Sequence, residues 1–262
     1  MEARRIDGGP NGRMYSVPMG SGNAVYPSMT NILNVIPKHN ALMAWAAKLE
    51  RSYSLDKAAE FMRAEGTVPT VTQFDERFGR TKAHRGALEK AANIGTETHA
   101  LIEAAMTRDP KFLKSFHAAP MPSRHAFNAW ISWRESVKLD PIHVERIVWS
   151  HDLGIAGTAD LIAKFLFGGA TCVAVMDWKT SNNLYIEHRI QIAGYRQCAI
   201  EMGLVDESAL GVILRLSKTK PRKNSTLFEP HVLMPSECDA LADVISHLCE
   251  VWRFLTSNGV RL

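Results

Sequence analysis

The dipeptide Gly168-Gly169, lying between two runs rich in β-branched and apolar residues, restricts the fold of this chain more than any other feature. Two glycines suit a two-residue hairpin loop, where both central residues need positive φ. Closing that loop and counting back along the two strands sets Asp160 opposite Asp177. Opposed residues hold their Cβ atoms roughly 4.5–5.5 Å apart, close enough for two carboxylates to reach one cation. Period-two alternation places Lys179 on the face of Asp177 and turns Met176 and Trp178 to the other. The hairpin gathers two acids and an ammonium.

A solvated polar face on an edge hairpin is the plainer account of an Asp-x-Lys. The flanking residues argue against it. Val173, Ala174, Val175 and Met176 lead into Asp177 as a continuous apolar run, typical of a strand buried on both faces. A carboxylate at the end of such a strand is costly unless it is paired or metal-bound.

With 262 residues, 46% of them hydrophobic and 22% charged, the chain suits one large domain or a domain with a helical extension. A net charge of +4 permits a polyanionic partner without establishing one. The four cysteines (Cys172, Cys198, Cys238, Cys249) are widely spaced with no Cys-x-x-Cys, which argues against a zinc knuckle and against a disulfide framework and fits a reducing cytoplasm best. Met1 to Gly22 lacks the apolar stretch of a secretory signal, and no run approaches 18 apolar residues. No membrane association is expected.

Composition makes residues 1–25 a flexible, Gly-rich and polar arm, after which Ser28 or Thr30 caps a helix carrying Ile32, Leu33, Val35 and Ile36. Helical spacing runs from Asn40 to Glu50, with Trp45 as a core residue, and a second helix from Leu55 to Ala64. Lys82 to Thr107 forms a long amphipathic helix interrupted by Gly95, with His99 and Glu103 on one face. Another helix covers Ser123 to Val137. The period then changes to two through Ile142, Val144, Arg146 and Val148, the first strand of a sheet. After the hairpin (Ile155 to Lys179) come a helix from Ile186 to Met202 stopped at Gly203, strands at Ala209–Leu216 and Leu227–Met234, and a last helix from Glu237 to Leu255. The order implies an α/β (α+β) fold: a helical amino-terminal part, 26–138, integrated with a core of mixed sheet flanked by helices, 139–262.

The hairpin chemistry suits phosphodiester hydrolysis, which needs a strong nucleophile and neutralisation of charge developing on phosphoryl oxygens; divalent cations do both. Two carboxylates with the Trp178 carbonyl between them form a partial oxygen cage for magnesium. Lys179 beside it can orient water and offset oxyanion charge. His99 is a further candidate ligand that would tilt preference toward manganese, against a purely structural histidine on an amphipathic helix. Glu145 faces either the site or solvent, depending on strand register. Gln191 and Tyr195 share a helix face, Gln191 able to bond metal-site groups or DNA and Tyr195 to stack on a base, unless both are rim packing. The loop Lys218-Thr219-Lys220-Pro221-Arg222-Lys223, extended by Asn224 and Ser225, concentrates cations suited to a phosphate backbone, where a solvated turn is the alternative. The chain has no His-Glu-x-x-His, which disfavours a zinc hydrolase.

Taken as a set, Gly95-Thr96 with His99, Glu145, Gly157-Thr158-Ala159-Asp160, Asp177-Trp178-Lys179-Thr180-Ser181 and Gln191 with Tyr195 resemble the PD-(D/E)XK nucleases of the RecB-like exonuclease branch. Tyr26-Pro27-Ser28-Met29-Thr30-Asn31-Ile32-Leu33 is similar to the opening of mitochondrial genome-maintenance exonucleases and related phage-encoded nucleases. The resemblance implies a restriction-endonuclease-like core, metal held by His99, Asp160, Asp177 and the Trp178 carbonyl, Lys179 as catalytic, and Gln191 with Tyr195 as the branch's Gln-x-x-x-Tyr element. It implies Mg2+ or Mn2+ as cofactor and DNA with free ends as substrate. The setting would be recombination, replication or repair, with a single-strand annealing or other recombination protein as partner, in the bacterial host cytoplasm if phage-encoded. Ser28, Thr30, Lys218, Lys220, Arg222 and Lys223 are candidate DNA contacts. Ala159 stands where the family name has Pro, as is common in this branch. Some relatives hold an iron–sulfur cluster with one upstream and three downstream cysteines. No cysteine precedes this site, so no cluster is expected. An endonuclease on the same fold and a non-catalytic DNA-binding protein are the alternatives.

Overall fold

The computed structural model describes residues 2–9, 12–37, 39–79, 81–220, 222–223 and 225–260. The hairpin that organises the sequence organises the fold. Gly168 and Gly169 take φ of 59° and 84°, and β5 (Ile155–Phe167) pairs antiparallel with β6 (Ala170–Lys179) from Phe167↔Ala170 to Leu161↔Met176. This is the register a two-glycine turn dictates.

Around the hairpin lies a five-stranded mixed sheet, in the order β4 (Leu139–Ser150), β5, β6, β7 (Leu210–Leu216), β8 (Phe228–Leu233). All neighbours are antiparallel except β6 and β7, whose parallel pairing requires a crossover. Helix α7 (Ile186–Glu201) supplies it and is stopped by Gly203 at φ 68°. Because both faces of β6 are covered, its sequence reads as a near-continuous apolar run. On one face Val175, Ile213 and Ile162 pack with α7, with α8 (Pro235–Ser257) and with Met29, Ile32 and Leu33 of α1 (Met29–Leu33). On the other, Met176, Trp178 and Leu214 pack with Leu101 and Ile102 of α4 (Ala83–Met106) and with Trp130 and Trp133 of α6 (Met121–Ser136). Trp130 and Trp133 each meet Trp178 in an edge-type arrangement, at centroid distances of 6.5 and 5.6 Å. Arg196 on α7, fully buried, donates to the carbonyls of Ala209 and Glu207 and to Asp239 Oδ1, tying the crossover helix to the start of β7 and to α8.

The amino terminus corrects the expectation of a flexible arm over 1–25. Strands β1 (Arg4–Gly9), β2 (Gly12–Met19) and β3 (Gly22–Pro27) form an antiparallel sheet. Its inner residues Tyr15 and Val17 pack with Ala156 of β5 and with Ile147 and Trp149 of β4. Ser28 then caps α1, its Oγ accepting from the Asn31 N–H at 3.1 Å.

Residues 37–93 form a second compact unit, where one integrated domain was expected. It holds α2 (His39–Glu65), α3 (Val71–Phe78) and the first turns of α4. The two helices expected between Asn40 and Ala64 are the single helix α2, and Trp45, expected in the core, is 37% exposed. Threonine and glutamine make a capping box on α3 through Thr70 and Gln73. The Arg77 guanidinium covers the buried Phe61 ring at 5.5 Å. Gly95 does not interrupt α4; a Cβ there would meet Thr180 Oγ1 at 3.4 Å, an ordinary contact. A further short helix, α5 (Phe112–Ala118), precedes α6. Among the described residues no helix is long and apolar enough to cross a membrane.

Candidate metal centre

The β5–β6 ladder stops at Leu161↔Met176, one step before Asp160 and Asp177 would pair. Beyond that point β5 keeps β4 as neighbour and β6 keeps β7, so the two strands fork. The Asp160 carboxylate takes the place of the missing rung: Oδ2 accepts the Trp178 backbone N–H at 2.6 Å. Its other oxygen faces His99 Nδ1 at 3.0 Å, and His99 Nε2 meets the Trp178 carbonyl at 3.1 Å. A carbonyl and an ionised carboxylate only accept, so in this arrangement both imidazole nitrogens donate and His99 is an imidazolium. Burial pushes its pKa down, but the charge and hydrogen bond of Asp160, with the charge of Asp177, outweigh that and hold it up at about 9.

Lys179 Nζ lies 2.5 Å from Asp177 Oδ2, an ion pair formed off the hydrogen-bonding direction, because that buried oxygen has no aligned donor. The two side chains share one face, as period-two alternation predicts. Burial and the charge of Asp160 raise the Asp177 pKa against the opposing pull of Lys179 and His99. Glu145 stands between Val144, paired with Leu161, and Arg146, paired with Ala159, and so opposite Asp160. Its register was illegible from sequence because the ladder shifts between Pro141 and His143. Its φ is 48°, a conformation rare for a residue with a Cβ. Burial, and next the charge of Asp160, raise its pKa to about 8, with Glu103 and Asp177 adding to the effect and His99 opposing it.

His99, Glu145 and Asp160 each offer a ligand atom within 4.8 Å of the others. Asp177 lies outside that group, although its charge bears on His99 and Glu145 and it feels that of Asp160; with the Trp178 carbonyl beside His99, the three make a donor set of oxygens and one imidazole that could hold a hard divalent cation. Two observations support the fit. The Asp160 carboxylate and the Trp178 carbonyl already face one positive group, the His99 imidazolium, which would release a proton before a ring nitrogen could ligate, and Asp177 Oδ2, buried and in an ion pair with Lys179 at 2.5 Å, has no aligned hydrogen bond.

The other sequence candidates divide. Gln191 Nε2 donates to Tyr195 Oη at 2.8 Å, so the pair is formed. Tyr195, however, is 5% exposed with its ring against Gly157, and it offers no free face for stacking on a base. Ser28 is buried and its hydroxyl is used in capping, so it is no DNA contact, whereas Thr30 is exposed. Lys218 is half-buried, and Lys220, Arg222 and Lys223 are exposed; among the described residues none of the four forms an ion pair. Pro221 and Asn224 lie outside the described residues. Since Lys179 pairs with Arg215 in the parallel ladder, Lys218 begins only three residues past the level of the site, roughly 10 Å along the strand. The basic loop therefore leaves the same end of the sheet.

Sequence reasoning missed two contributors. Glu103 bears on Glu145 through its charge, and its position four residues after His99 was the available signal. Tyr15, whose Oη lies 3.0 Å from Thr158 Oγ1, had none, because its partner is 143 residues away.

No family model matches the chain, and no curated protein does. Among solved structures, the crystal structure of SSO0001 is similar at 13% identity, covering 59% of this chain and 74% of that chain, with a TM-score of 0.23. A likeness of that size carries no argument about fold or function.

Proposed function

We propose that the chain is a Mg2+- or Mn2+-dependent DNA exonuclease of the PD-(D/E)XK, RecB-like kind, serving recombination, replication or repair. The observation that carries this reading is the convergence, at one strand fork, of Asp160, Asp177, Glu145 and His99 with an ammonium paired to one of the acids. A structural ion pair needs one acid and one base. Three acids and an imidazole gathered in a half-buried space answer better to a cation.

Asp160, Asp177, the Trp178 carbonyl and His99 would hold the ion, with Glu145 beside them. The cation, when bound, supplies Lewis acidity toward phosphoryl oxygens and lowers the pKa of a coordinated water. Lys179, positioned by Asp177, offers its remaining ammonium protons to the attacking water and to a phosphoryl oxygen. Lys218, Lys220, Arg222 and Lys223 supply sequence-independent charge for a phosphate backbone leaving the fork.

The test is degradation of end-labelled linear single-stranded, linear duplex and circular DNA in Mg2+, Mn2+ or EDTA. The expected result is loss of linear DNA only, dependent on metal and absent in EDTA. Cleavage of covalently closed circles would replace the exonuclease reading with an endonuclease. Intact DNA under every metal condition would leave a non-catalytic DNA-binding role.

A further inference from the structure

We infer that the amino-terminal sheet is a working part of the metal centre, with Tyr15 as a positioning residue for the Asp160 carboxylate. The inference rests on the metal-site reading above and adds a residue to it that lies outside every motif of the hairpin.

From Ile155 to Asp160, β5 has β4 as its one ladder partner among the described residues, with only a single bridge from Ser28 to Ala156 on its other side. A stretch with a single strand neighbour depends on its two faces for rigidity. The faces are filled from different layers. Gly157 and Ala159 point toward α7, where the Tyr195 ring sits so close that a Cβ on Gly157 would lie 2.3 Å from Cε1. Ala156, Thr158 and Asp160 alternate to the opposite face. There the amino-terminal sheet covers Ala156, which is fully buried, and Tyr15 places its hydroxyl 3.0 Å from Thr158 Oγ1. Tyr15 is itself 1% exposed, and Ser28 adds a backbone bridge to Ala156. Two tyrosines thus clamp the stretch that ends at Asp160, one from each face.

Both Asp160 oxygens are committed, one to Trp178 N–H at 2.6 Å and one to His99 at 3.0 Å. Bonds that short tolerate little displacement of the carboxylate, and a ligand must be held within about 0.5 Å of its working geometry. Tyr15 meets that need through Thr158, two residues upstream on the same face.

The test compares full-length wild type with Tyr15→Phe, Thr158→Val and the double variant, measuring Mn2+ binding by calorimetry and electron paramagnetic resonance alongside thermal melting. Each single variant is expected to raise the Mn2+ dissociation constant about three- to tenfold, the scale of one hydrogen bond, and the double variant no further. Unchanged Mn2+ affinity with a lowered melting temperature would reduce the contact to a structural one and overturn the inference, as would absence of Mn2+ binding by the wild type. Mn2+ binding weakened as expected in a protein that cuts no DNA would remove the nuclease reading and leave the clamp standing, so the two fail separately.

Discussion

Asp177→Asn is expected to abolish metal-dependent cleavage of linear DNA, by at least about a thousandfold, while leaving the melting temperature unchanged or higher. The two effects have one cause. Asp177 is 3% exposed, feels the like charge of Asp160, and has an oxygen with no aligned hydrogen-bond donor. An ionised carboxylate in that position is costly to the folded chain, and burial together with the like charge of Asp160 displaces its pKa upward. Asparagine keeps the volume and removes the charge. Stability therefore should not fall, although Lys179 loses its partner, because Lys179 keeps access to water. Function should fall, because a neutral amide is a poor ligand for a hard cation and no longer orients the ammonium. Single-turnover rates and a thermal melt on the same preparation check both halves. A variant that melts well below wild type would mean that Asp177 serves the fold as an ion-pair partner, and retained cleavage would remove it from the site altogether.

The opposition of stability and activity follows from how the site is built. Asp160, Asp177, Glu145 and Glu103 bring like charges together, and one residue among them, Glu145, holds a left-handed backbone. Such strain persists where the surroundings over-determine it, here the pairs Val144↔Leu161 and Arg146↔Ala159 that flank Glu145. The carbonyl that meets His99 belongs to Trp178, whose buried ring packs edge-wise with the indoles of Trp130 and Trp133.

What could be read from sequence was whatever short-range chemistry controls. Gly168-Gly169 sets the register, which holds as far as Leu161↔Met176 and stops one step short of the counted Asp160–Asp177 pair, while the shared face of Asp177 and Lys179 followed from period-two alternation along β6. Helices with a buried stripe, such as α4, α6 and α7, announced themselves by period. The amino-terminal sheet did not, because β1 is polar and glycine-rich and only three residues of β2, Tyr15 to Val17, are buried. Its stability comes from packing on Ala156, Ile147 and Trp149, more than a hundred residues away, which no local pattern encodes. Trp45 misled for the complementary reason: a large aromatic on a helix favours burial on average, yet this one lies on the open side of α2. Tyr195 was legible as a partner of Gln191 but not as a buried ring, since helix spacing gives a face and not the depth of what covers it.

The same distinction separates two glycines of β5 and its turn. Gly168 is required for conformation: its φ is 59° and a Cβ added there would meet nothing within 4 Å, so Gly168→Asn should be nearly neutral. Gly157 is required for space. A methyl there would stand 2.3 Å from Tyr195 Cε1, 3.1 Å from Cζ and 3.2 Å from Cδ1. The ring cannot yield cheaply, because it is buried and its hydroxyl is held by Gln191. Gly157→Ala should therefore destabilise the chain by about 1–3 kcal/mol through overpacking. Its effect on cleavage should be larger, on the order of a hundredfold, because a displacement of about 1 Å in β5 carries Asp160 away from His99 and Trp178. Adding Tyr195→Leu vacates the ring and should restore most of the melting temperature without restoring the rate, since the Gln191 contact is then gone. If Gly157→Ala alone keeps wild-type melting and cleavage, α7 gives way at no cost, and the Gly157–Asp160 stretch is not clamped between its two tyrosines.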